Sequence, residues 1–151
     1  MKKALVLLLL FFVALSCKKE NRIERNLWKQ GGEWNIELWS ETTTSSYYEE
    51  DNNSTTFADF GTFKFNKDGT GSYTLTANSE SYTESLTYQN TENTLTIFDP
   101  EGDGRIYDLD WERNDITLSI DESKVYMTDD PSGGQVAVYY THQAIINLKK
   151  K

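Results

Sequence analysis

The sharpest run of chemistry-bearing residues is Asp99-Pro100-Glu101-Gly102-Asp103-Gly104-Arg105-Ile106-Tyr107-Asp108-Leu109-Asp110. Set against a calcium loop, it places carboxylates at positions one, three and five (Asp99, Glu101, Asp103), glycine at six, a branched apolar residue at eight and a carboxylate, Asp110, at twelve. Glu at position three and Asp at twelve depart from the usual loop. Both flanks alternate like strands, so the other reading is a hairpin turn shaped by Gly102 and Gly104, with its acids facing water. His142 is the single histidine. With no second imidazole and no available thiolate it makes no zinc or copper set, and no serine stands in an obvious triad pattern with it. It reads as a hydrogen-bonded interior residue or as a pH-sensitive ligand contact. Asp108 and Asp110 lie about 7 Å apart along a strand, within glycosidase range. They alternate with Tyr107, Leu109 and Trp111, which are better core residues, so the two acids point outward and no enzyme is expected. Phe63, Phe65, Tyr73, Tyr88, Trp111 and Tyr140, with His142, have the apolar bodies and polar tips of a small-molecule site, or else they fill a packed interior.

Strands must position those residues. After Gly31-Gly32, Trp34, Ile36 and Leu38 take one phase of a period-two pattern while Asn35, Glu37 and Trp39 take the other. Ser40 to Thr56, rich in Ser, Thr, Asn and acids, reads as a long exposed loop carrying Tyr47 and Tyr48. Alternation resumes with Phe63 and Phe65, turns at Lys67-Asp68-Gly69, and returns through Tyr73, Leu75 and Ala77. Further runs hold Leu86 and Tyr88; Leu95 and Ile97; Tyr107, Leu109 and Trp111; Ile116, Leu118 and Ile120; Val125 and Met127. The last runs from Val136 through Tyr140, His142, Ala144 and Ile146 to Leu148. About nine runs rich in Thr, Tyr, Phe and Val predict an all-β antiparallel meander. Closing eight or nine strands into a barrel removes the sheet edges and leaves room inside for side chains or one small ligand.

A chain of 151 residues with 37% hydrophobic and 26% charged residues suits one domain. Its one cysteine forbids an internal disulfide. Residues 1–16 hold two lysines and no acid, and without them the net charge is −11. Such a body repels phosphate backbones, which excludes nucleic acid as a partner. Lys18, Lys19, Arg22, Arg25 and Lys29 near one end, and Lys149 to Lys151 at the other, suit a solvated surface or anionic head groups. Between residues 17 and 32, Ile23, Leu27 and Trp28 are spaced for a short amphipathic helix or lie in a loose tether.

Met1 to Cys17 opens with Lys2-Lys3 and continues through an apolar run from Ala4 to Leu15, too short to span a bilayer and shaped like a secretory signal. The run ends in Ala14-Leu15-Ser16-Cys17, which resembles the lipobox of bacterial lipoproteins. That resemblance implies cleavage after residue 16, lipidation of Cys17 and a membrane partner reached through the lipid. Lys18, where Gram-negative inner-membrane lipoproteins carry Asp, implies sorting to the outer membrane. Gly32-Glu33-Trp34 resembles the Gly-x-Trp that opens the first lipocalin strand. With the Phe63 to Gly71 hairpin and the length, the chain resembles lipocalin-like domains of small Gram-negative lipoproteins over Gly31 to Leu148. The resemblance implies a signal peptide over 1–16, a lipidated tether over 17–32, a barrel over 33–148 and a basic tail over 149–151. It also implies that Trp34 packs at the closed end beneath Lys149, and that a small apolar or amphipathic ligand occupies the mouth, with no cofactor. Thr128-Asp129-Asp130 falls too late in the chain to match the family's Thr-Asp-Tyr motif. The rival reading is an envelope interaction protein with a packed barrel, acting through acidic loops and Trp39, Tyr47 and Tyr48.

Overall fold

A computed structural model of the chain describes residues 22–77 and 80–151. The leader, Cys17 and the tether as far as residue 21 lie outside the described residues. Eight strands follow a helix over 22–28. They are β1 (Glu33–Ser45), β2 (Asn53–Phe65), β3 (Thr70–Ala77), β4 (Glu80–Asn90), β5 (Thr94–Phe98), β6 (Gly104–Glu112), β7 (Asp115–Asp129) and β8 (Gln135–Lys150). Each pairs antiparallel with the next, and β8 closes on β1 from Trp34 opposite Lys150 to Ser45 opposite Tyr140. The expected closed antiparallel barrel is present, with eight strands. The interior phase is the expected one on β4 to β8: Leu86 and Tyr88, Leu95, Tyr107 and Leu109, Ile116 to Ile120, and Ala144 to Leu148 are buried, while Asp108 and Asp110 face out.

Three expectations are corrected. The Ser40 to Thr56 segment is not a long loop, because β1 runs to Ser45 and β2 begins at Asn53. Threonines and serines on this hairpin pair across strands, Ser40 with Thr56 and Thr42 with Ser54, so their polarity reflects a solvated sheet face. Only residues 46–52 turn, and the buried Ser45 hydroxyl accepts from the Tyr48 amide. Val125 and Met127 do not form a separate strand, since β7 continues through them to Asp129, opposite β8. Lys149 and Lys150 are the end of β8 and no tail.

The register between β1 and its neighbours shifts between Ile36 and Leu38. One extra residue in a strand reverses the facing of all that follow. Trp34 and Ile36 therefore face inward before the bulge, and Trp39 and Glu41, opposite Ile146 and Ala144, face inward after it.

At the closed end the helix over 22–28 buries Ile23 and Leu27 against the barrel bottom. Full burial of two such side chains stabilises by about 1.5–3 kcal/mol each. The last turn of a helix leaves carbonyls without partners. Here the Trp34 indole N–H donates to the Leu27 carbonyl at 2.9 Å and the Lys150 ammonium to the Asn26 carbonyl at 2.6 Å. Gly32 then takes the left-handed conformation (φ 68°) that ends the helical segment and starts β1.

Candidate ligand cavity

Above this plugged end core side chains pack the lower barrel, and the upper part is open. A cavity of about 700 Å³ opens at the opposite end, in the size range of small-molecule sites. Phe63, Leu86, Tyr107 and Ile146, all buried, make its floor, and Trp39, Tyr73 and Ile97 make its walls. Alternation alone puts an apolar floor beneath a charged rim. Arg105 continues the inward phase of Tyr107 and Leu109, and Glu122 and Lys124 continue that of Ile116 to Ile120.

The rim is a set of pairs. The imidazole of His142, 12% exposed, meets Glu41 Oε1 at 2.6 Å from its Nε2, and Arg105 Nη1 approaches the same oxygen at 3.8 Å. Lys124 Nζ stands 3.9 Å from Glu122. Across the mouth the Tyr73 hydroxyl donates to Glu84, one inward position above Leu86 on β4. Burial, then that hydrogen bond and the Glu84 charge, push the Tyr73 phenol above its usual range. Burial also raises Tyr107, against the lowering effect of Arg105. Both phenols are therefore neutral donors at physiological pH. The arrangement can grip an apolar body and offer hydrogen bonds and charge to a polar end.

Of the aromatic residues expected in one cavity, Phe63 and Tyr73 line it. Phe65 and Tyr88 lie deeper, edge to face at 5.0 Å, and the Tyr88 hydroxyl donates to the Asn66 carbonyl at 2.7 Å. Trp111 is corrected to the closed end, where it packs edge-on against Trp34 at 5.3 Å and borders a cleft of about 280 Å³ beside the helix. Tyr140 pairs with Ser45 and Lys124 and does not line the cavity. His142 is not among the lining residues and is hydrogen-bonded to Glu41 in the rim.

The calcium loop does not assemble. Asp99 caps the β5–β6 turn, accepting from the Asp103 amide at 2.8 Å, and Glu101 is exposed at its tip. Asp110 faces outward near the closed end, about 20 Å further along β6 by strand rise. Among the described residues no group of three histidine, cysteine or acidic side chains is placed to hold a metal ion. The residue beneath which Trp34 packs is also corrected. Lys149 points outward to Glu37 and Asp115, whereas the ammonium of Lys150 lies 4.5 Å over the Trp34 ring. Strand alternation fixes the choice, because Lys150 shares the phase of Leu148.

Trp39 and Glu41 escaped the sequence because the bulge reversed their phase, and Glu122 and Lys124 because a charged stretch looked like the end of a strand. Arg105 was legible in principle, two positions before Tyr107.

Charge is divided between the two ends. Among the eleven described lysines and arginines, only Arg105 and Lys124 stand at the open end. The open-end turns and the tip of β7 carry Glu49, Glu50, Asp51, Asp99, Glu101, Asp103, Asp129 and Asp130. No protein-family model matches this chain, and no curated protein matches it in sequence.

Proposed function

We propose that this protein is a lipid-anchored, lipocalin-like carrier of the Gram-negative outer membrane, held by Cys17, that binds one small apolar or amphipathic molecule in its barrel and catalyses no reaction. The observation that carries the reading is the 700 Å³ cavity with an apolar, aromatic floor and a polar rim. The Gly32-Glu33-Trp34 opening, with Trp34 at the closed end under a lysine, supports the lipocalin-like part. The lipobox at Ala14 to Cys17 supports the anchor.

The rival reading, a packed barrel acting through acidic Tyr-rich loops, keeps Tyr47 in the β1–β2 turn but has less support from its other two aromatics. Trp39 is in the cavity wall, and the Tyr48 hydroxyl is engaged by Thr128 at 3.0 Å.

Native mass spectrometry of the mature protein, purified from a Gram-negative host, tests the carrier. The expected spectrum holds a small-molecule adduct that Phe63→Ala weakens and Trp111→Phe leaves in place. An apo mass that also ignores added apolar probes would sink the carrier reading. Labelling with radioactive palmitate tests the anchor, and Cys17→Ser is expected to abolish it.

A further inference from the structure

Resting on the carrier reading, we infer that the cavity selects a cationic amphiphile, a protonated amine or quaternary ammonium group on a short apolar body. The inward and rim carboxylates outnumber the cations. Glu122, Asp99 and Asp103 line the cavity with Arg105 and Lys124, while Glu41 lies against Arg105 and His142, and Glu84 against Tyr73. Each of those cations already leans on a carboxylate, Arg105 on Glu41 and Lys124 on Glu122. Glu84 is different: its partners, Tyr73 and Tyr82, are phenols that carry no charge, so no cation offsets its carboxylate.

The apolar side of the site points the same way. Trp39, Tyr73 and Tyr107 ring the space beneath the rim, and an aromatic face attracts a cation most strongly when both are shielded from water. The long-range field agrees, because the open-end turns carry acids and no lysine or arginine. A mouth of net negative charge, with low-dielectric walls, raises the local concentration and entry rate of ligands of opposite charge. An anionic head group meets that field first and then competes with Glu41 and Glu122 for their partners.

The test compares three probes whose tails differ by at most one carbon, octyltrimethylammonium, octanoate and octyl glucoside. Each is titrated below its micellar concentration into the full mature protein by calorimetry. The ammonium is expected to bind at least tenfold more tightly than octanoate, with the gap narrowing as salt is raised from 20 to 500 mM, about the behaviour screening dictates. Glu84→Gln keeps the acceptor for Tyr73 and removes the charge, and is expected to weaken ammonium binding severalfold while leaving the glucoside unchanged. Arg105→Gln is expected to strengthen it. Circular dichroism confirms that both variants keep the strand spectrum. Octanoate binding as well as or better than the ammonium would overturn the charge preference and leave the carrier standing. Failure of all three probes would overturn both.

Discussion

Lys149 and Lys150 are adjacent, chemically identical, and differently placed by one step of strand alternation. Lys150 lies over the Trp34 ring and donates to the Asn26 carbonyl, replacing the water that a helix end otherwise needs. Lys149 makes two exposed ion pairs of the kind that contribute little. Lys150→Met, which keeps the stem and removes the charge, is expected to destabilise the fold by about 2 kcal/mol. Lys149→Met is expected to leave the thermal midpoint where it is, and calorimetric melting of both variants checks the pair. Equal effects would contradict the closed-end account. Tyr88 gives a pH signature. Burial, with Glu24 and Asp68 nearby, pushes its phenol up to about 12 from 10.0. Because the folded value is the higher one, the folded state holds the proton longer. Its contribution to stability is complete below pH 10 and is lost as pH rises toward 12. Urea midpoints between pH 9 and 12 are expected to fall, and to fall less steeply in Tyr88→Phe.

The periodicity of β4 to β6, the first half of β7 and most of β8 was legible because apolar and polar residues alternate without interruption there. Apolar alternation fails on the β1–β2 hairpin and the outer half of β7, where both faces are wet and Ser, Thr and charged residues replace the core. The bulge after Ile36 was illegible for another reason. An inserted residue changes facing without changing composition, so Trp39 and Glu41 carry no local mark of being inside. The pairing of His142 with Glu41, 101 residues apart, depends on barrel closure and on that bulge together. Glycine marked the helix-to-strand joint correctly. A Cβ at Gly32 would lie 2.0 Å from the Phe65 carbonyl oxygen, at a positive φ that already disfavours any side chain. Gly32→Ala is expected to cost more than the roughly 1–2 kcal/mol of left-handed strain alone. Gly102→Ala, also at positive φ with open space around it, is expected to cost only that strain. Chemical denaturation of the two variants separates the clash from the conformation.

At the scale of the molecule, plug and mouth lie at opposite ends, and so do most cations and the acidic turns. If Cys17 bears the lipid, the five residue steps to Arg22 reach at most about 18 Å. The helix end then lies near the bilayer and the mouth opens toward water. Spin labels at Lys67 and at Met127, on the two ends, are expected to differ in accessibility to a membrane-bound relaxation agent, with Lys67 the closer. The carrier reading requires that a ligand enter the barrel. Nuclear Overhauser contacts between octanol protons and labelled Ile and Leu methyl groups of the mature protein test it directly. Contacts are predicted at Leu86, Ile97 and Ile146 in the cavity lining and not at Ile145, which is 45% exposed on the outer face. Contacts confined to Ile145, or none at any methyl group, would contradict the account.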